Sequence, residues 1–501
     1  MNETARHATE GAFTNPIGGV ALGDPFVLRY RGQFYLYGTN DGPPLADGRA
    51  IPVYRSDDLI HWTPLGGALE MIEPTADHWA PEVMAWNGKF YMVVSFGDVE
   101  RTGHALWVAV ADRPEGPFRL RSRVSGPDER FSIDGSWLLD DDDGRLYLYR
   151  CLDFVDDADP PHGTGIVVQE MADPFTPIGR PATVLRAHAP WHLFEANRPM
   201  PLYERRTFAA WNTIEGPAPV RRNGKVYCGY SGGNYTGAYG TGEAVADRPL
   251  GPYRDARGAA GPIFGTKPGL VEGPGHFSVV RPDGVHDWIV LHGRRPGEPG
   301  RRVWLCPADW GDEGVTIGAL TDRPQSAPPL PRDLSRFDSS EGSPLVGWTP
   351  DGGHWELDGD GLRQYGDGDS TVWRDGLRLE GDWAIEAWVR LPDTGEGNVA
   401  GLWLRSAESA CSIDLGRDSL LFRTHEGLTS HATLPTLGDA PFDPSRYHAI
   451  EVRSRGGRAE VRLDGVLVVD DAVIANGPAR LGLHARGIAA FDAVAVTMIV
   501  P

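Results

Sequence analysis

Asn87-Gly88-Lys89-Phe90-Tyr91-Met92 is one copy of a phrase that this chain repeats. A polar residue and a glycine are followed by a variable residue and an apolar or aromatic run. The phrase stands earlier at Arg31-Gly32-Gln33-Phe34-Tyr35-Leu36. It returns at Asp143-Gly144-Arg145-Leu146-Tyr147-Leu148 and at Asn223-Gly224-Lys225-Val226-Tyr227-Cys228. A degenerate fifth copy is Asp283-Gly284 followed by Trp288-Ile289-Val290-Leu291. Asn-Gly and Asp-Gly supply the positive φ of tight hairpin turns, so each copy reads as a turn opening a strand. The five glycines are 56, 56, 80 and 60 residues apart, room for a four-stranded sheet each. Five such sheets arranged radially make a five-bladed β-propeller. A second repeat agrees: AVADRPEGPF at 109–118 and AVADRPLGPY at 244–253 each follow a repeat glycine where a third strand and its exit turn belong.

Outward from the repeat, the whole chain reads as all-β. Its 64 Gly and 42 Pro punctuate short apolar runs, and no long stretch has helical periodicity. The phrase loses its spacing after residue 320, where Thr321 to Asp333 reads TDRPQSAPPLPRD, a stiff Pro-rich stretch. Beyond it, Trp383-Ala384-Ile385-Glu386-Ala387-Trp388-Val389 and Ala459-Glu460-Val461-Arg462-Leu463 alternate with period two, the latter turning at Asp464-Gly465. The reading is a propeller over 1–325, a linker over 326–340 and a β-sandwich of two antiparallel sheets over 341–501.

The net charge of −21 disfavours nucleic acid or an acidic membrane surface as partner and leaves neutral hydroxyl-rich ligands open. The scattered Cys151, Cys228, Cys306 and Cys411 have no metal-ligand spacing and read as buried free thiols. The opening residues MNETARHATEGAFTNP lack the apolar core of a secretory signal, so a cytoplasmic location is expected. The acidic run Asp140 to Asp143 reads as a solvated turn rather than a metal site.

One ionisable residue precedes each repeat glycine: Asp24, Glu82, Asp134, Glu215 and His276. Innermost strands line the channel of a propeller, so these side chains are expected to converge near its axis. Clustered acids cost stability unless some are protonated. Glycosidic cleavage needs such a cluster: one carboxylic acid protonates the leaving oxygen while an opposed carboxylate activates water. A third acid raises the donor's pKa by like-charge repulsion.

The phrases Asn15-Pro16, Gly23-Asp24-Pro25-Phe26-Val27, His78-Trp79-Ala80-Pro81-Glu82-Val83, Ser132-Ile133-Asp134-Gly135-Ser136, Ile214-Glu215-Gly216-Pro217 and Gly273-Pro274-Gly275-His276 resemble glycoside hydrolase family 43, over roughly residues 12 to 320. The resemblance implies an inverting five-bladed propeller enzyme that needs no cofactor for its chemistry. In it Asp24 is the general base, Glu215 the general acid, and Asp134 tunes and orients that acid. His276 matches an axial histidine that contacts an optional structural cation, commonly calcium. Trp79 lines the sugar subsite, and Arg294 or Arg295 matches an arginine that bonds substrate hydroxyls. The C-terminal part resembles concanavalin-like sandwich modules, which bind glycan or lean on the propeller and close its pocket.

The interval between the third and fourth repeats is longer than the others, and its Arg198 and Trp211 are candidate substrate contacts at the pocket rim. Glu272 also stands in a Glu-Gly-Pro phrase but falls off the repeat distance, and Glu82 reads as a supporting acid. The expected substrate is a short arabinose- or xylose-containing oligosaccharide, cleaved by α-L-arabinofuranosidase or β-xylosidase action. A galactosidase, an endo-arabinanase, a retaining fructan hydrolase and a non-catalytic carbohydrate-binding protein are the alternatives.

Overall fold

The computed structural model of the chain describes residues 11–72, 76–256, 261–311, 314–339, 343–424, 427–434, 436–438, 441–474 and 477–499. Residues 1–10, which carry most of the signal-peptide reading, lie outside them. Apart from two single 3-10 turns at Pro190–His192 and Pro201–Tyr203, the described elements are strands.

Five sheets follow one another from residue 23 to 317, one per repeat glycine, antiparallel but for one parallel contact, Gly163 with Asn212, in the third. Their innermost strands are Gly23–Tyr30, Asp77–Trp86, Ser132–Leu139, Ile214–Arg222 and Glu272–Val280. Each packs beside the next, and the fifth returns to the first, which closes the ring of blades I to V. Blades I, II and V have four strands each. Blade III carries seven, because the long interval adds the hairpin Leu193–Met200 with Arg206–Asn212. The repeat turns are the tight kind their sequences demand. Asn87 and Gly88 have φ of 49° and 68°, and Asn223 and Gly224 have 51° and 72°. The N-terminal segment seals the ring from outside: Ala12–Phe13 pairs with Gln325–Ser326, and Asn15 exchanges side-chain hydrogen bonds with the Leu305 backbone (both 2.8 Å).

The expected linker is partly sheet. Residues 325–326 belong to that closing ribbon, and Asp333–Arg336 pairs with the strand Ala489–Ile499 of the second domain. Residue 340 lies outside the described residues. The second domain is the expected sandwich of two antiparallel sheets around one apolar core. Period-two alternation sends Trp383, Ile385, Ala387 and Val389 into that core. It leaves Glu386 and Trp388 on the opposite face, toward the propeller.

That face meets the propeller at the repeat turns. Trp388 packs edge-on to Tyr30 at 4.6 Å, and Glu386 pairs with Arg29. Asn87 donates to the Pro441 carbonyl (3.0 Å), Arg453 to that of Gly284 (2.8 Å), and Arg462 pairs with Asp141 (3.0 Å). Four of the five turns are thus engaged. The turns terminate the innermost strands, whereas the acids begin them, so these contacts of the sandwich lie on the face opposite the acid cluster. Trp388 is 8% exposed. Trp388→Ala is expected to destabilise the protein by about 3–5 kcal/mol, seen as a lowered midpoint of thermal unfolding. An unchanged midpoint would mean that the two domains do not stabilise each other.

All four cysteines are buried free thiols. Asp141 to Asp143 form the expected turn, with Asp142 and Asp143 exposed, and Asp140 alone departs from it. Asp140 is fully buried and paired bidentately with Arg221 of blade IV, where a solvated turn was expected. Among the described residues, no helix is long and apolar enough to cross a membrane.

Candidate active site

The five innermost strands share a defect. In each, the pairing with the second strand slips by one residue near the start, and in the fifth a further slip lies just ahead of it, between Glu272 and Gly275. The residue at the slip has positive φ: Asp24 (48°), Ala80 (46°), Asp134 (55°), Gly216 (58°) and His276 (45°). Such β-bulges re-aim side chains beside active sites, and non-glycine residues held there carry strain of about 1–3 kcal/mol. This corrects the alignment read from the repeat glycines. Asp24, Asp134 and His276 are equivalent positions. Glu82 lies two residues past its bulge at Ala80, and Glu215 one residue before its bulge at Gly216.

The bulges bring Asp24, Asp134, Glu215 and His276 together. His276 Nδ1 lies 3.2 Å from Asp24 Oδ1 and 3.8 Å from Asp134 Oδ2. The Gly216 N–H donates to Asp134 Oδ2 (2.9 Å), which ties blade III to the residue after Glu215. The Tyr239 hydroxyl donates to Glu215 Oε1 (2.8 Å). Thr39 donates to Asp24 Oδ2 (2.6 Å) and accepts the Ala80 N–H (2.9 Å), joining blades I and II. Arg301 donates to Asp24 Oδ1 (2.8 Å) and pairs with Asp41 (2.8 Å). The guanidinium lies so close over Gly23 that a Cβ there would meet its Cζ at 1.8 Å, so only glycine admits it. A carboxylate has about four acceptor sites. Arg301 and His276 use Oδ1 and Thr39 uses one site on Oδ2, which leaves one for a water.

The environments push the acids apart. Burial alone would raise Asp24, but Arg301 and His276 more than offset it and hold the carboxyl well below the usual carboxylate range. Burial lifts Glu215 to about 7, helped by the Asp134 charge. Burial and the Asp24 charge lift Asp134 to about 6, against the pull of His276. His276 is raised to about 9, because the two aspartates outweigh its burial, so it is an imidazolium. Burial holds His292 down to about 4; neutral, its Nδ1 accepts the Asp24 N–H (3.1 Å) and steadies the bulge.

The remaining expectations divide. Trp79 stands just before the Ala80 bulge, its ring stacked on His104 at 3.9 Å, and is partly exposed. Glu82 accepts from Ser136 (2.8 Å) and the Trp137 N–H (3.1 Å), and burial drives it to about 8, so it braces blade III. Trp211 is buried against Met200 and Phe208, away from the cluster. Arg198 stacks on Phe194 (4.2 Å) and pairs with Glu195 (3.0 Å). Arg294 donates to the Tyr235 carbonyl and Arg295 to that of Asn15. Neither reaches the acids; the arginine that does is Arg301, which stands just ahead of the return strand Arg302–Gly311, after the 295–300 loop. Sequence reasoning missed Arg301, Thr39, Tyr239 and His292, because each comes from a second or third strand without a phrase of its own. The optional cation implied for His276 would be met by its Nε2, the nitrogen turned from the acids. Its Nδ1 faces the two carboxylates, and among the described residues no three His, Cys, Asp or Glu side chains are arranged as a cation's ligand set.

Known proteins resemble this chain over the propeller and beyond it. The profile described as Glycosyl hydrolases family 43 matches residues 13–316, the whole propeller. An extracellular exo-alpha-(1->5)-L-arabinofuranosidase of Streptomyces avermitilis is 24% identical over 344 residues, 62% of this chain and 65% of that enzyme, just under two thirds of its length. One of the same description from Streptomyces chartreusis is 27% identical over 54% of this chain and 80% of its own. A solved structure of a thermostable family-43 glycoside hydrolase superposes with a TM-score of 0.54 at 30% identity, over 63% of this chain and 99% of that one. The structure of a xylan beta-1,4-xylosidase from Bacillus Halodurans C-125, 15% identical with a TM-score of 0.50, covers 97% of this chain, a likeness of fold that takes in the sandwich. With the profile matched along more than half its length and across the blades that carry the acids, the chain belongs to family 43 of the glycosyl hydrolases.

Proposed function

We propose that this protein hydrolyses terminal pentose glycosides with inversion, acting as an α-L-arabinofuranosidase, with β-xylosidase action on the same short oligosaccharides. One observation carries the reading: a single cluster holds Glu215, raised to about 7, and Asp24, held well below the usual range. One carboxyl is a proton donor near neutral pH and the other a base, the division that glycoside hydrolysis requires. Glu215 gives its proton to the leaving oxygen, and Tyr239 fixes the carboxyl's orientation. Asp24 takes a proton from a water held at its free acceptor site, and that water attacks the anomeric carbon from the opposite face. Asp134 keeps Glu215 protonated by its charge, while His276 and Arg301 keep Asp24 ionised. The reaction draws on the chain's own side chains and needs no cofactor. The relatives described as arabinofuranosidases favour arabinose as the released sugar.

Aryl α-L-arabinofuranoside, β-D-xyloside, β-D-galactoside and β-D-fructofuranoside, assayed with purified protein, test this reading. Release from a pentoside, with the inverted anomer seen first by proton NMR, is the expected result. Fructoside cleavage alone, or a retained anomer, would overturn it.

The pH dependence follows from the two carboxyls. Glu215 must keep its proton, so kcat/KM falls as pH rises through about 7. Asp24 stays ionised to well below the usual carboxylate range, so the acid limb lies far from neutrality. In Asp134→Asn one like charge is gone, and the alkaline limb moves to lower pH. A limb that stays in place would remove Asp134 from the tuning of Glu215.

A further inference from the structure

A second opening lies on the acid-bearing face, a cleft of about 510 Å³ between the tip of the blade III hairpin and the chain that enters that blade. Glu129, Arg130, Asp153, Tyr203, Glu204 and Arg206 stand round it. Ser132, the first residue of blade III's innermost strand, pairs with Leu152. Asp153 is therefore level with Phe131, three residues above Asp134, or about 10 Å along the strand. The extra hairpin delivers Tyr203 and Glu204, and its tip is anchored. Arg130 donates to the Leu202 carbonyl (3.1 Å), and Arg206 donates to that of Val155 (2.8 Å) while lying over Phe208 (4.4 Å).

Three buried polar atoms of the cleft's side chains have no hydrogen-bond partner among the described residues: Asp153 Oδ2, Glu129 Oε2 and the Tyr203 hydroxyl. Buried polar groups are ordinarily satisfied by protein, ordered water or ligand, so these three side chains hold unused bonding capacity that a polar occupant of the cleft would meet once they turn toward it. Two are acceptors and the third both donates and accepts, a match for vicinal hydroxyls. The acids outnumber the arginines, and both arginines are already engaged, so an anionic group finds no free cation here. Burial and the neighbouring Glu129 raise Asp153 to about 7, in keeping with an enclosed neutral site.

We infer that this cleft is the subsite for the leaving-group side of the substrate, taking a neutral sugar unit of an oligosaccharide on Tyr203, Asp153 and Glu129. The inference rests on the hydrolase reading above and extends it to residues that do not touch the scissile bond. An aryl glycoside presents no sugar to this cleft, and a trisaccharide does. Tyr203→Phe and Asp153→Asn are assayed on 4-nitrophenyl α-L-arabinofuranoside and on α-1,5-linked arabinotriose, or on the corresponding pair for whichever glycoside the wild type cleaves. The expected result is a roughly three- to tenfold loss of kcat/KM on the trisaccharide, the scale of one hydrogen bond, carried by KM. Turnover of the aryl glycoside should stay within about twofold, which also shows that the variants fold. Equal losses on both substrates, or no loss on either, would overturn the subsite while leaving the hydrolase reading intact. Failure of the wild type to cleave any aryl glycoside sinks the hydrolase reading and this one with it.

Discussion

Glu215→Gln is expected to lower kcat on an unactivated oligosaccharide by about 10³- to 10⁴-fold, the upper range of general-acid catalysis. The substitution keeps the volume and the acceptor for Tyr239, so the pocket's geometry survives and the loss is chemical. Two further signs separate a lost proton donor from a damaged fold. A dinitrophenyl leaving group departs without protonation, so its glycoside should lose far less. The alkaline limb near pH 7 should vanish from the profile, because the group that produces it is gone. A loss equal on both leaving groups would falsify the role of Glu215 and would turn attention to Glu272, which occupies the analogous phrase in blade V.

Asp24→Asn carries the second large effect, a fall in kcat of about 10⁴-fold on every leaving group. Activating the leaving group cannot compensate for water that is not deprotonated, so here the aryl and oligosaccharide substrates should fall together. Azide, which needs no base, should restore turnover and give a glycosyl azide of inverted configuration. KM should change little, because the carboxylate acts on water rather than on the sugar. The amide also removes the charge that Arg301 and His276 balance, and His276 then loses its largest stabilising neighbour as an imidazolium. A variant that keeps the wild-type rate on any substrate would mean that the base lies elsewhere.

Legibility of the site tracked the locality of each signal. Asp24, Asp134 and His276 could be found because each stands in a short phrase at a regular distance before a turn. The distance also found Glu82 and Glu215, but it counts from the turn and takes no account of the bulge, so it set them in register with Asp24, Asp134 and His276 although they stand off it. The bulge itself left marks in the sequence, in Asp24-Pro25, Ala80-Pro81 and Gly216-Pro217. Those dipeptides mark the residue before proline, and reading them in register aligns blades I, II and IV at the bulge. Arg301 escaped because the arginines nearest the end of a strand, Arg294 and Arg295, were the natural choice. The 295–300 loop reverses the chain before the residue that meets Asp24. Trp211 misled for a simpler reason: a tryptophan beside a motif is more often packed than presented, and the extra hairpin uses it for its own small core.

The amino-acid sequence by itself determined the all-β class, the number of blades, the presence of a second sandwich and the identity of the acids. These depend on turn chemistry and on period-two alternation, which act over a few residues and are written directly in the chain. Only the tertiary structure decided which acid keeps its proton and which loses it. Asp24 and Asp134 are the same residue type at the same bulge, yet their pKa values move in opposite directions. Arg301, 277 residues away in the chain, stands against one and not the other. The tertiary structure also put the sandwich's contacts at the repeat turns on the face away from the acids and opened a cleft under the blade III hairpin. Charge interactions and burial act through space between segments that are remote in sequence, so they exist only once the ring has closed.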